Sequence, residues 1–342
     1  MNEITLKSIA PDPAAKKQSQ GGLKSSTGCR FDNKNLKYKI HRDLVFEDCV
    51  FSGCQMQAVK FEDCIFTNCT FNKVDLHLAR FVNTTLENCS FEECRFYRAS
   101  LQDIEIKYCS FLKSSLSYTQ LAKSEFTQVM FVKANLDDSN FYSTLLQDVW
   151  FSECSVNQSD FTESILTRVS VTGSELKKAN FSKTKIKESQ FRSSQLSRSK
   201  WNQASGIGLY ITSCQLAESA FKKVSLTRSE LIKSDFSKST IEGSSVTSSN
   251  LEKSSFRGSL VKYTHLDKSN LKRTDFQGCD LRGSSFEGSD LSEANLNECI
   301  LNMTSFKESI AVRASFWRSN LKDALCDQGD FLNARLPLSV LI

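Results

Sequence analysis

The sequence is poor in the residues on which catalysis and metal binding usually depend. It has only three histidines, and these, His41, His77 and His265, are far apart and in no metal-ligand spacing. No GxSxG, HExxH or glycine-rich phosphate loop is present. The acidic residues follow a repeat and do not form an evident acid–base pair. We therefore expect no enzymatic activity, no metal site and no cofactor.

Long apolar runs and prolines are also scarce. No run of about 18 apolar residues occurs, and the N-terminus lacks a signal-peptide pattern, so we expect neither a membrane span nor Sec export. The hydrophobic content of 39% is low for a chain of 342 residues. The three prolines suit a chain whose backbone hydrogen bonds run between successive coils.

Phenylalanine is abundant, and its spacing is the main feature of the sequence. All 25 phenylalanines fall at positions that differ by multiples of five, from Phe31 to Phe331, and leucine fills most of the gaps. A helix has an apolar period of 3.6 and a strand a period of two, so a period of five fits neither. Such fixed self-similarity indicates a solenoid.

A second register lies two residues before each Phe or Leu and holds a small residue. It is cysteine or valine early in the chain, as at Cys49 and Val59, and serine later, as at Ser229 and Ser249. The unit is therefore small–polar–Phe/Leu–polar–polar. A chain that buries one large and one small side chain in every five residues must turn a corner in each unit, and four corners close a coil of 20 residues.

The units Ala294–Glu298 (Ala-Asn-Leu-Asn-Glu) and Cys279–Gly283 (Cys-Asp-Leu-Arg-Gly) show the pattern most clearly. The chain resembles the pentapeptide-repeat family, whose consensus is Ala-Asp/Asn-Leu followed by two variable residues. The resemblance implies an all-β fold, a right-handed quadrilateral β-helix solenoid with both registers pointing inward. At four units per coil, the sequence predicts about 15 coils.

The repeat divides the chain into a tail, a core and two ends. Residues 1–28 are polar and outside the repeat, so we expect a disordered tail. Residues 29–45 enter the register imperfectly, because Lys39 and His41 break it, and should form a first coil that caps the core. The β-helix should span 46–336. The apolar segment 337–342 should close the other end or contact a second copy as a homodimer.

One interior segment, 201–210, departs from the pattern. Gly206 replaces the large core residue and Leu209 overfills the small position, yet the register resumes at Ile211. We predict a local bulge or kink here that lets Ile207 or Leu209 point inward.

The 13 cysteines also follow the repeat. Twelve occupy the small register and Cys326 the large one. Cys49, Cys69, Cys89 and Cys109 should stack, which suits neither a disulfide nor a tetrahedral zinc site. We interpret them as buried free thiols, which indicates a reducing compartment, most simply the cytoplasm of a bacterium. Delivery into a host or target cell without a signal peptide is the alternative.

Charge is segregated along the chain. Residues 1–43 carry net +5, 44–165 net −8, 166–273 net +12 and 274–342 net −4. A basic section can bind nucleic acid, an anionic membrane surface or an acidic protein. The candidate anion-binding residues are Lys177, Lys178, Lys222, Lys223, Lys233, Lys253 and Arg273. Only the last three are consecutive at a spacing of 20, so the basic side chains are dispersed over the coil.

Four apolar residues occupy outward positions that the repeat would make polar. Leu112 and Val132 are 20 residues apart, as are Met130 and Trp150, and all four should lie on one face over about two coils. Contiguous exposed apolar surface usually marks a partner. These residues form the candidate partner-binding patch.

Three functions remain open. The first is a non-enzymatic protein–protein interaction rod, such as a bacterial scaffold, a secretion-associated protein or a secreted effector, with an unknown protein partner. The second is anion binding through 166–273. The third follows from the resemblance, because quinolone-resistance members of the family mimic duplex DNA and bind gyrase through an acidic surface. Here only 44–165 is acidic, and the basic section would be repelled by a DNA-binding surface.

Overall fold

The computed structural model describes residues 19–20 and 23–337, with side chains from Lys24 onward. The chain divides into two compact units, Met1–Ile165 and Leu166–Ile342. Within the described residues the secondary structure is entirely β, and no helix occurs. Each unit has the right-handed quadrilateral β-helix fold that the sequence predicts.

The first unit is built from short strands, most of them three residues long. They are β1 (Ser19–Gln20), β2 (Leu23–Thr27), β3 (Arg30–Asp32), β4 (Ile40–Arg42), β5 (Leu44–Glu47), β6 (Val50–Ser52), β7 (Lys60–Glu62), β8 (Ile65–Thr67), β9 (Thr70–Asn72), β10 (Arg80–Val82), β11 (Thr85–Glu87), β12 (Ser90–Glu92), β13 (Glu105–Lys107), β14 (Ser110–Leu112), β15 (Glu125–Thr127), β16 (Met130–Val132), β17 (Leu145–Gln147) and β18 (Trp150–Ser152).

Parallel pairing between residues 20 apart forms four faces in this unit. One face is the sheet β2-β5-β8-β11-β13-β15-β17, to which β1 adds an antiparallel edge strand through Ser19↔Lys24 and Gln20↔Leu23. The second face is β3-β6-β9-β12-β14-β16-β18 and the third is β4-β7-β10. The fourth consists of single bridges such as Asn35↔Gln55 and Gln55↔Asp75. The middle residue of each three-residue strand points inward, because successive side chains of a strand alternate between the two sides.

The second unit continues the same pattern with fewer strands. After β19 (Ile165–Thr167) come β20 (Ser170–Thr172), β21 (Lys185–Lys187), β22 (Gln190–Arg192), β23 (Ser205–Ile207), β24 (Tyr210–Thr212), β25 (Ser225–Thr227) and β26 (Ser245–Thr247). Its sheets are β21-β23-β25-β26 and β20-β22-β24.

The number of turns differs from the prediction. Strands define about 11 turns about 20 residues apart, rather than about 15. Beyond Thr247 the 20-residue pairing continues only as isolated bridges, from Asn250↔Asn270 to Ser315↔Arg335. On every face there, a tight turn leaves one paired residue. The five-residue repeats therefore still stack on those of the next coil, but they no longer form three-residue strands.

The backbone conformation at the corners explains how the chain turns from one face to the next once in every five residues. The second residue after each Phe or Leu has a left-handed backbone, for example Asp48 with φ 53° and Lys133 with φ 52°. This conformation costs about 1 kcal/mol for a non-glycine residue. A hydrogen bond to the next coil offsets that cost, since Asp48 N–H donates to Thr67 O at 3.0 Å.

The two inward registers stabilise the coils in different ways. The large register forms columns of stacked rings, such as Phe46 on Phe66 with centroids 4.7 Å apart. The small register satisfies backbone groups inside the core. Ser219 Oγ donates to Leu196 O at 3.1 Å and accepts from Ser199 N–H at 3.1 Å. Serine is therefore tolerated in the core because its hydroxyl group is hydrogen-bonded.

The ordered structure begins earlier than predicted. Leu23–Thr27 forms β2 and pairs in parallel with β5, so the predicted end of the tail at residue 28 is placed too late. Residues 1–18 of that tail lie outside the described residues. His41 does not break the core: it occupies the inward position, is 5% exposed and stacks on Phe61. Of the predicted C-terminal segment 337–342, only Pro337 is described, and it is buried.

The predicted bulge at 201–210 is wrong. Strand β23 stays in register, with Gly206 paired to Ile186 on one side and Leu226 on the other. Ile207 points outward and is 60% exposed, whereas Leu209 is fully buried in the small register. The backbone can remain regular because Leu209 supplies inward volume from its normal position.

Candidate functional site

The four predicted patch residues lie on one sheet of the first unit. They project from the neighbouring strands β14, β16 and β18, where Leu112 pairs with Val132 and Met130 pairs with Trp150. Met130 is 47% exposed and Trp150 41% exposed, while Leu112 and Val132 are half-buried. We call Leu112, Met130, Val132 and Trp150 the apolar patch.

A column of stacked rings holds the strands under the apolar patch. Phe111, Phe131 and Phe151 point inward from β14, β16 and β18, with successive ring centroids 5.0 Å apart and nearly parallel planes. Backbone hydrogen bonds join the same strands, for example Met130 N–H to Cys109 O at 2.9 Å. The outward side chains are therefore presented on a fixed backbone, which limits the entropy lost when a partner binds.

Sequence reasoning missed apolar residues on the neighbouring face. Leu145 on β17 and Ile165 are exposed, and Tyr142 precedes them at the edge of the next face. Their spacing of 20 residues is the same signal that identified Met130 and Trp150. A comparison of outward positions along the face of Met130 and Trp150 alone does not include Leu145 and Ile165, because they lie on the neighbouring face.

A second exposed apolar cluster lies in the second unit and was also missed. Leu260 and Ile300 share one column of the coil, and Tyr263 and Met303 share a neighbouring corner column; all four are exposed. Gly283, with φ 65°, lies between Tyr263 and Met303 in that corner column. The ring of Tyr263 lies over it, so that a Cβ at residue 283 would be 2.7 Å from the ring.

Most of the predicted anion-binding residues are in ion pairs. Lys177 Nζ lies 3.2 Å from Glu175, Lys222 Nζ 3.8 Å from Glu242 and Lys253 Nζ 2.8 Å from Glu252, each measured to a carboxylate oxygen. Arg273 donates twice to Glu293, through Nε at 2.9 Å and through its terminal nitrogen at 3.4 Å. This hydrogen bonding to Glu293 raises the pKa of Arg273. Paired cations attract an added anion less strongly, because the carboxylates cancel part of their field.

The basic side chains are also dispersed. Lys178, Lys223 and Lys233 each occupy a left-handed corner residue, and the 20-residue period puts them at three different corners of the coil. Only Lys233, Lys253 and Arg273 share one corner, as the sequence predicted. The second unit therefore presents no single basic face built from the seven candidates.

The stacked cysteines are buried, as expected. Cys29, Cys49, Cys69, Cys89 and Cys109 form no disulfide and are buried in one inward column, which we call the thiol column. Their sulfurs donate to backbone carbonyl oxygens, for example Cys69 Sγ to Phe46 O at 3.3 Å, and Cys109 Sγ accepts from Cys89 N–H at 3.4 Å. Hydrogen bonds from Cys109 and Cys69 lower the pKa of Cys89. Burial, followed by donation to Cys89, raises the pKa of Cys109.

In the part of the chain that the structure describes, no group of three or more His, Cys, Asp or Glu side chains could hold a metal ion. Among the same residues, no helix is long and apolar enough to span a membrane.

The chain is a member of the pentapeptide-repeat family. The family model "Pentapeptide repeat region" matches residues 44–121, 104–181 and 209–286, and the model "Pentapeptide repeats (8 copies)" matches 289–325. These matches cover most of the coils described above, so the resemblance seen in the repeat is confirmed.

Solved structures of the same family are similar to this chain. HetL, a pentapeptide-repeat protein involved in regulation of heterocyst differentiation in the cyanobacterium Nostoc sp. strain PCC 7120, is 23% identical, with a TM-score of 0.36 over 68% of this chain and 87% of HetL. A trypsin-treated form of QnrB1, a plasmid-mediated fluoroquinolone resistance protein, is 18% identical, with a TM-score of 0.33 over 66% of this chain and 91% of QnrB1. A comparison with curated protein sequences gave no match.

Proposed function

We propose that this chain is a non-enzymatic protein–protein interaction module and that the apolar patch binds its partner. The observation that carries the proposal is the exposure of Met130 and Trp150 side by side on neighbouring strands. Tryptophan is among the residues most enriched at energetically dominant positions of interfaces, and a rigid sheet presents it without a large entropic cost. Roles as a bacterial scaffold, secretion-associated protein or effector all fit such a module.

The surroundings of the apolar patch fit a protein surface better than a polyanion. Charged side chains border it, including the ion pair between Lys133 and Glu153, whose charged atoms are 3.5 Å apart. The section 44–165 that carries it is net negative. An apolar centre with a mixed polar rim is the usual arrangement of a protein interface.

The experiment compares wild type with Met130→Asp plus Trp150→Asp as bait in affinity capture, followed by titration of each purified partner. The matched control is Tyr210→Asp plus Ile310→Asp. These residues occupy the equivalent outward position of the coil and are similarly exposed, at 42% and 44%, but belong to coils far apart in the sequence. Isothermal titration calorimetry measures the affinity of all three proteins, since the patch variant lacks Trp150.

We expect the patch variant to bind a true partner at least about tenfold more weakly, a loss of about 1.4 kcal/mol, while the control binds as wild type does. Equal affinity of wild type and patch variant would exclude the apolar patch as the interface. Capture of nucleic acid that salt releases, through the second unit, would instead support anion binding.

A further inference from the structure

The thiol column is an uninterrupted run of cysteines on five successive coils. Cys29 is 7% exposed and the four that follow are at most 2% exposed. The residues that follow these cysteines pair in parallel (Arg30↔Val50↔Thr70↔Ser90↔Ser110), which stacks the cysteines one coil apart. Cys109 Sγ also accepts a hydrogen bond from Cys89 N–H at 3.4 Å. The run ends at Val129, a residue that fills the same position without a sulfur. Space-filling alone therefore does not require cysteine in this column.

Backbone carbonyl oxygens surround these sulfurs. Cys69 Sγ lies 3.3 Å from Phe46 O and 3.4 Å from Thr67 O. Cys109 Sγ lies 3.5 Å from Leu86 O and 3.2 Å from Lys107 O. The negative ends of these carbonyl dipoles point toward the column, so the electrostatic potential there favours a cation.

The arrangement selects a particular class of cation. A straight column offers two sulfurs on opposite sides of a point midway between coils, and it provides neither the tetrahedron of a zinc site nor the oxygen ligands of calcium or magnesium. Soft d10 ions such as Cu(I) and Hg(II) prefer thiolate sulfur and accept two ligands in a near-linear arrangement. We propose that the thiol column binds such a soft cation between the sulfurs of two consecutive cysteines.

Binding of either ion releases enough protons to leave a neutral complex, which suits the apolar surroundings of the thiol column. Hg(II) replaces the protons of both thiols, forming two Hg–S bonds and releasing two protons. Cu(I) replaces one proton, binds that thiolate and the neutral sulfur of the next cysteine, and releases one proton. Both products are neutral, which matters because an uncompensated charge in a protein core is costly. Without sharing a sulfur, five thiols hold two ions.

Cys29 is the point of entry that the burial pattern indicates, since it is the most exposed member of the column. It also precedes all the others in the chain and lies in the coil that follows β2. An ion taken up there can pass to the deeper cysteines by exchange of one sulfur ligand at a time.

The test uses the reduced full-length chain with two background substitutions. Cys326→Ser removes the exposed thiol. Cys299→Ser breaks the shorter stack that Cys299 forms with Cys279. Serine should be accommodated there, because it already occupies the same column at Ser319. The protein is titrated without oxygen with Hg(II), with Cu(I) and, for comparison, with Zn(II). Ultraviolet sulfur-to-metal absorption and native mass spectrometry report binding, and X-ray absorption counts the sulfur ligands.

The informative variant is Cys49→Val plus Cys89→Val. It leaves Cys29, Cys69 and Cys109 without a cysteine on either adjoining coil, and valine already occupies this column at Val129 and Val149. The matched control, Cys54→Val plus Cys94→Val, also removes two buried cysteines but leaves the thiol column intact. A third variant, Cys69→Val, separates the column into two adjacent pairs.

We expect the background protein, the control and Cys69→Val to retain about two soft ions with two sulfur ligands each, and the informative variant to retain none above baseline. Zn(II) should bind to none of them specifically. Unfolding curves without metal establish that each variant is folded. The proposal is overturned if the informative variant binds as the background protein does, if the control loses the same ions, or if Cys69→Val abolishes binding.

Discussion

Trp201 stacks on Phe181, with ring centroids 4.3 Å apart and planes 19° apart, in the coil that lacks a large residue at Gly206. The indole N–H donates to Ser199 Oγ at 2.7 Å, so this buried ring has no unsatisfied polar atom. The largest side chain of the core thus lies in the same coil as the smallest. The coil keeps its register because its total inward volume is conserved, although the volumes of individual positions are not.

The atoms around Gly206 leave no room for a larger side chain at residue 206 unless another inward side chain of the coil becomes smaller. A Cβ built there would lie 3.1 Å from Leu226 Cδ2 and 3.4 Å from Ile186 O. Trp201 and Leu209 are almost completely buried in the same coil. We therefore expect Gly206→Leu, which restores the repeat consensus, to destabilise the protein by about 1–3 kcal/mol through overpacking. Urea unfolding measures the change.

The control for this prediction is a compensating pair. Gly206→Leu plus Leu209→Ser places a large residue at 206 and a small one at 209, as in the coils that contain Ile186 with Ser189 and Leu226 with Ser229. We expect the pair to recover most of the lost stability, giving a coupling energy of at least about 1 kcal/mol. Additive effects of the two substitutions would refute the argument from conserved volume.

Stability should fall in mild acid because of His41. Burial, with a smaller effect from Lys39, lowers the pKa of His41 from 6.5 to about 4. Below pH 6.5 the unfolded chain binds a proton that the folded protein does not, so the free energy of unfolding falls as the pH is lowered from about 6.5 to about 4. The shift corresponds to at most about 3 kcal/mol.

His41→Phe tests this pH dependence. Phenylalanine is the residue at positions 61 and 81 of the same column, so the ring should be accommodated. We expect the variant to lose much of the difference in unfolding free energy between pH 7 and pH 5, measured by urea titration. His265→Phe is the control, since the side chain of His265 is 61% exposed. A pH profile unchanged in His41→Phe would contradict the assignment.

The core could be predicted from the sequence because each five-residue unit is locally complete. Phe46 and Phe66 reveal their inward direction by register alone, and the 20-residue spacing then pairs them. The coil of Gly206 could not be predicted in this way. Its geometry depends on the sum of several side-chain volumes and on the neighbouring coils at Ile186 and Leu226, which a single-position pattern does not record.

The candidate surfaces were predictable to a smaller extent. The pairing of Met130 with Trp150 follows from the period, and Leu145 with Ile165 could have been found by the same count. The pairing of Lys222 with Glu242 is also a 20-residue relationship, but it depends on the side-chain conformations at the surface. Net charge by section therefore overstated how much of the basic charge is available to an anion.

The last prediction concerns a small apolar cavity of about 20 Å³ in the core of the second unit. It is lined by Phe221, Val224, Leu226, Leu231, Phe236, Ile241, Val246, Leu251, Phe256, Val261 and Leu266. Val246 stands between Leu226 and Leu266 in its column and is one methylene group smaller than either. We expect Val246→Leu to fill part of the cavity and raise the free energy of unfolding by about 0.5–1 kcal/mol, since a buried methylene group contributes about 0.8 kcal/mol.

Val156→Leu is the matched control for Val246→Leu. Val156 is fully buried in the first unit and does not line the cavity. Adding a methylene group to a filled core forces side chains from their preferred rotamers, so we expect this change to be neutral or to cost about 1 kcal/mol or more. Urea unfolding of both variants at constant m-value gives the comparison. If both substitutions destabilised the protein equally, the space beside Val246 would be inaccessible to a larger side chain, and the coils of the second unit would be as tightly packed as those of the first.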